Sequence, residues 1–203
     1  MVKGMRRRTF DTLMSTAGVL LAVVLAVAGG LLLFAHSFVN AQVRTNLAEQ
    51  HISFPAAGSA ALTADPEITK YVTPYAGQQV LDGQQAEVFA DHYIKVHLSE
   101  VAGGKTYSEV SAQFQQMKPT DPTYQQVAQQ RQTLFMGETL RGILLTAYAF
   151  WKMGQIALIA AIVAFSGAGL LLLLSILGFV HGRHTPADSQ LFTGRHEREL
   201  VTA

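Results

Sequence analysis

The chain contains no cysteine. That excludes disulfides, thiolate metal sites and a cysteine nucleophile, though it leaves the compartment open. Charge is also scarce, at 14% of 203 residues, against roughly 25% in an ordinary soluble domain. The shortage is concentrated. Asp, Glu, Lys and Arg are all missing from residues 12–43 and again from 153–182, runs of 32 and 30 residues. Two such runs exclude an ordinary soluble globular protein. About 110 residues remain between them, enough for one small core but too few for a multi-domain enzyme. No strong charge balance exists either. The formal net charge is +1, and nucleic-acid binding needs a basic face, so no nucleic acid partner is expected.

What is present in the two uncharged runs is hydrocarbon. Residues 13–34 and 156–180 are each long enough to cross a bilayer, which takes about 20 apolar residues because lipid cannot satisfy free backbone groups. Lys3, Arg6, Arg7 and Arg8 stand before the first run against Asp11 alone. The segment between the runs carries eight Lys/Arg and ten Asp/Glu, and Arg183 follows the second run between His181 and His184. Positive charge favours the cytoplasmic side. The expected organisation is therefore a basic cytoplasmic N-tail over 1–11, a first transmembrane helix over 12–36, an extracytoplasmic helical domain over 37–152, a second transmembrane helix over 153–180, and a flexible cytoplasmic tail over 181–203. The expected site is a bacterial cytoplasmic (inner) membrane, with both termini inside. Tyr148, Phe150 and Trp151 form an aromatic belt before the second span, with Lys152 able to snorkel.

Two other readings of the N-terminus are weaker. Val39-Asn40-Ala41 offers small residues for cleavage after Ala41, but the apolar run far exceeds the roughly 7–15 residues of a signal-peptide core. Arg7-Arg8-Thr9-Phe10 resembles a twin-arginine signal, yet a basic anchor explains it without export.

Small residues recur every four positions at Gly18, Ala22, Ala26 and Gly30, and at Ala160, Ala164 and Ala168. Such spacing places each set on one helix face, where backbones can approach closely in lipid. These residues are the candidate helix-packing positions, within the chain or toward a protein partner or second copy. Alternatively, Ala and Gly are simply common in spans.

The middle segment reads as helix. Asp65-Pro66-Glu67 is an N-cap followed by proline and an acid. Asp82 with Gln85, and Thr106 with Glu109, have capping-box spacing. Asp121-Pro122 repeats the Asp-Pro start, and Gly103-Gly104 marks a helix end. Helices are expected at 66–71, 83–102 and 107–117. A further helix starts at 122 and runs into the second span, while the first span continues outward through Gln42, Arg44 and Glu49. Residues 56–64 are expected to be a loop. Fourteen Gln between Gln42 and Gln132 favour helix over strand. The fold class is all-α, two transmembrane helices bracketing the helical domain and continuous with it as a bundle.

Chemistry-bearing motifs are few. No Glu-x-x-His, His-x-x-x-His, Gly-x-Ser-x-Gly or phosphate-loop pattern occurs. No catalytic, cofactor-binding or metal residue is assigned, and no enzyme activity or cofactor is expected. Glu87, Asp91 and Lys95 share a face, most simply as a surface ladder in which Asp91 pairs Lys95. Glu138 and Arg141 are spaced for an i,i+3 ion pair. With His51 they are the only groups from which an interfacial site would be assembled. His92 lies on the apolar stripe of Val88, Phe89, Tyr93 and Val96, either as a packed histidine or as a pH-sensing or ligand residue.

The stretch Gly83-Gln84-Gln85-Ala86-Glu87-Val88-Phe89-Ala90-Asp91-His92-Tyr93 continues to Val96-His97-Leu98 and Gly103-Gly104-Lys105-Thr106-Tyr107-Ser108. Gly137-Glu138-Thr139-Leu140-Arg141-Gly142 and Ala147-Tyr148-Ala149-Phe150-Trp151 follow. This pattern resembles a group of actinobacterial two-span membrane proteins over most of the chain except the tail. Members of that group are sometimes labelled aromatic ring-opening dioxygenases. That label requires a non-haem iron, typically held by two His and a carboxylate, and His51, His92 and His97 are poorly spaced for it. The residues lead instead to a non-enzymatic accessory, scaffold or interaction subunit in the lipid bilayer. The alternative is an extracytoplasmic ligand-binding or sensing module that signals through a partner.

Overall fold

The computed structural model describes residues 6–186 and Ser189. Among these residues the fold is all-α, with seven α-helices: α1 (Arg7–Glu49), α2 (Ala60–Thr63), α3 (Pro66–Val72), α4 (Gly83–Phe89), α5 (Lys95–Val101), α6 (Tyr107–Gln115) and α7 (Tyr124–His184). A 3₁₀ turn follows α3 at Thr73–Tyr75, and a π-helical segment, Ala90–Ile94, joins α4 to α5. α1 and α7 are long and apolar enough to cross a membrane, and only 11% of the most apolar stretch of each is buried. A buried core helix of a soluble protein would show the opposite.

The chain divides into two compact units, Met1–Phe34 with Ala157–Ala203, and Ala35–Ile156. In the first, the N-terminal part of α1 packs on the C-terminal part of α7. The inward positions on α1 are Asp11, Ser15, Gly18, Ala22, Leu25 and Gly29, and on α7 they include Ala161, Ala164, Ala168, Leu171, Ser175 and Gly178. Steps of three and four alternate, as in a left-handed coiled-coil seam with a 3.5-residue repeat. The two serines and two glycines interlock reciprocally. Ser175 Oγ occupies the place a Cβ on Gly18 would take, and Ser15 Oγ does the same over Gly178.

In the second unit, the ends of α1 and α7 wall a core with α2–α6. Leu47, Ile68, Val72, Val80, Leu134 and Leu144 are fully buried, each stabilising by about 1.5–3 kcal/mol relative to exposure. The caps fall where the sequence places them. Asp65 accepts from the Glu67 amide at 2.7 Å, and Asp82 from the Gln85 amide at 2.8 Å. Thr106 and Glu109 form a complete capping box. Gly103 and Gly104, at φ +61° and +81°, close α5. His51, at φ +52°, takes the same left-handed role after α1 and starts the chain back toward an isolated antiparallel bridge between Ser53 and Gln79.

Several expectations need correction. The loop expected over 56–64 contains α2, whose Leu62 is buried. Asp121 does not cap α7, which begins at Tyr124. Its carboxylate instead accepts from the Lys118 amide at 2.7 Å and closes the preceding turn. The helix expected over 83–102 carries the π-helical segment. Ala86, Ala90, Ile94 and Leu98 face the core at unbroken steps of four. An α-helix would rotate such a row off the core, and the wider π turn restores it. α7 persists to His184, into the stretch expected to be a tail, and the remainder of that tail, apart from Thr185, Pro186 and Ser189, lies outside the described residues.

Candidate functional site

The second unit carries a groove of ≈1110 Å³ between residues 38–50 of α1 and 138–150 of α7. Its floor opens at Gly142, where an added Cβ would meet nothing within 4 Å. The two walls are antiparallel. His36 Nδ1 lies 2.8 Å from the Gly154 carbonyl oxygen, which sets one end of the pairing. Asn40 Nδ2 stands 3.0 Å from Nδ1 and 3.1 Å from Nε2 of the same ring. The backbone carbonyl and the Asn40 amide thus hold the imidazole ring in place.

The groove lining changes character along its length. Nearest in sequence to the apolar runs it is hydrocarbon: Phe38 and Val39 face Ala147 and Phe150. Along α1, Gln42, Asn46 and Gln50 recur at steps of four and form a row of carboxamides on one wall. At the far end stand the carboxylates of Glu49 and Glu138. No Lys or Arg lines the groove.

An ion cluster braces that far end. The Arg141 guanidinium donates from Nε (3.0 Å) and Nη2 (2.7 Å) to Asp91 Oδ1, and from Nη1 (3.3 Å) to Glu138 Oε2. Burial opposes the charge on Arg141, but the hydrogen bonds and field of Asp91, then Glu138, outweigh it and raise its pKa. The Glu138–Arg141 pair matches the spacing argument. The expected Asp91–Lys95 ladder does not form this way, because Asp91 sits in the π-helical segment and reaches α7 instead. Next to it, His92 is part-buried. Its ring stacks on Tyr71 at 3.8 Å between centroids, and Nδ1 lies 2.8 Å from Glu67 Oε1. His97 bonds the Tyr93 carbonyl and stands apart from this cluster.

The small residues of the apolar helices divide. Gly18, Ala22, Ala164 and Ala168 lie in the contact between α1 and α7, with Ala160 at its margin. Ala26 and Gly30 face outward, because steps of four drift away from a 3.5-residue seam. Gly29, not Gly30, meets the opposite helix: a Cβ added there would stand 3.1 Å from the Phe165 ring.

The groove, the Asp91–Arg141 bridge and the His36–Asn40 clamp were not read from the sequence. The groove walls, the Asp91–Arg141 bridge and the His36–Gly154 contact each join residues 50 or more positions apart, whereas His36 and Asn40 are four apart on α1. The Gln42-Asn46-Gln50 periodicity was the one local signal available. Among the described residues, no three His, Asp or Glu gather in a metal-binding arrangement. No family model, curated protein or solved structure matches the chain.

Proposed function

We propose that this chain is a two-span protein of a bacterial inner membrane, with both termini cytoplasmic, and that it serves as a non-enzymatic accessory or scaffold subunit. Support comes chiefly from α1 and α7. Only 11% of the most apolar stretch of each is buried, and they continue without a break into the walls of the helical unit. The same helices thus serve as anchor and as framework. The resemblance to two-span actinobacterial proteins accords with this reading, and the basic N-terminus supports its orientation. Ala26 and Gly30, turned away from the seam, offer small-residue surface for a second helix.

The absence of native cysteine makes the test clean. Single cysteines at Ala26 and Gly30 are oxidised or crosslinked in native membranes, with Ala22→Cys as the inward control. A discrete adduct at the outward positions, with the control giving none, is expected. A chain that stays monomeric at every position contradicts the subunit reading. The groove favours a second reading, in which the helical unit binds a ligand and the spans hold it at the membrane.

A further inference from the structure

The order of chemistry along the groove identifies a ligand class, given the second reading above. A volume of ≈1110 Å³ lies just above the usual range of small-molecule sites, about 300–1,000 Å³. From Phe38 to Gln50 the α1 wall rises about 18 Å, so an occupant must be elongated. The end formed by Phe38, Val39 and Phe150 offers only hydrocarbon contact, and it is the end closest in sequence to the apolar runs. The middle offers carboxamide N–H donors from Gln42 and Asn46. The Thr139 and Thr146 hydroxyls already donate to the Phe135 and Gly142 carbonyls, so they remain as acceptors only. The far end carries Glu49 and Glu138. Arg141 neutralises part of this charge, but it is itself shared with Asp91, leaving two net negative charges among the four groups.

A purely anionic headgroup is disfavoured at that end, and a cation is favoured. We infer that the groove binds one membrane phospholipid with a primary ammonium headgroup. Its ammonium sits between Glu49 and Glu138, its phosphodiester lies along the Gln42–Asn46 carboxamides, and an acyl chain lies against Phe38 and Phe150. The sequence hydrocarbon, neutral hydrogen-bond donor, carboxylate matches the sequence acyl chain, phosphodiester, ammonium in such a lipid.

The test is native mass spectrometry of the full chain in detergent, titrated with phosphatidylethanolamine, phosphatidylcholine and phosphatidylglycerol of identical acyl chains. Phosphatidylethanolamine is expected to be retained about tenfold more tightly than phosphatidylglycerol, in line with a charge-assisted hydrogen bond. G142W should abolish retention by filling the groove where no neighbouring atom stands. G142L is the smaller variant, and both are checked for an unchanged circular dichroism spectrum. E49Q/E138Q should retain the lipid but lose the headgroup preference. If all three lipids bind equally and G142W displaces each, the headgroup assignment is overturned while the binding reading stands. If neither G142W nor G142L alters retention of any lipid, both fall.

Discussion

At the residue scale, the caps and charge pairs show what a short motif specifies. Thr106 and Glu109 satisfy each other's orphan amides. The Thr106 amide and hydroxyl hold the Glu109 carboxylate below its ordinary pKa of 4.5. A carboxylate with a depressed folded-state pKa contributes stability that is present above the unfolded value and lost as pH falls through the folded one. Thermal melts of the wild type and E109Q should therefore differ at pH 7 and converge only as the pH falls below the depressed folded-state pKa of Glu109. T106A should lose about 1 kcal/mol at neutral pH. Convergence at high pH instead would show that the box does not act through the ionised acid. Arg141 and Asp91 behave differently. Arg141 has a local partner in Glu138, but Asp91 is 50 positions away, and only tertiary folding brings it within 3.0 Å of Arg141.

At the element scale, glycine separates close contact from open space. Gly83 opens α4 directly under Trp151, with Trp151 Cβ and Cγ where a methyl group would stand. The stem of a tryptophan cannot swing aside, so G83A should cost about 1–3 kcal/mol. Gly142 lies mid-helix with no neighbour within 4 Å. There, G142A should gain up to about 1 kcal/mol from helix propensity. Denaturation of the two variants should shift in opposite directions, and a shared direction would refute the packing described at Trp151.

The helices themselves were largely legible in the sequence, because caps and apolar periodicity act locally. Asp65, Asp82 and Thr106 each announce a start within four residues. The π-helical segment Ala90–Ile94 was not legible, since its cause is a core row that must stay aligned across α4 and α5. The small-residue faces were half legible. A step of four identifies a helix face, but the helix pair follows alternating steps, which moved Ala26 and Gly30 outward and brought Gly29 in. The groove escaped notice because its walls come from α1 and α7, about 100 residues apart in sequence.

At the scale of the whole molecule, the two apolar helices do double duty. α1 gives its first part to the helix pair and its last turns, through Val43 and Leu47, to the core of the other unit. Cleavage after Ala41 would separate these parts, whereas a retained anchor keeps the core supplied. The proposed topology places that core outside the cell and the basic segment around Arg6–Arg8 inside. The most direct measurement is labelling of single-cysteine variants with a membrane-impermeant maleimide, in a chain that has no competing thiol. Gln115→Cys, on the exposed surface of α6, and Thr9→Cys, at the start of α1, are the two informative positions. Labelling of Gln115→Cys in intact cells, with Thr9→Cys reacting only after permeabilisation, is the predicted result. The reverse pattern, or recovery of the protein in the soluble fraction, would contradict the two-span account.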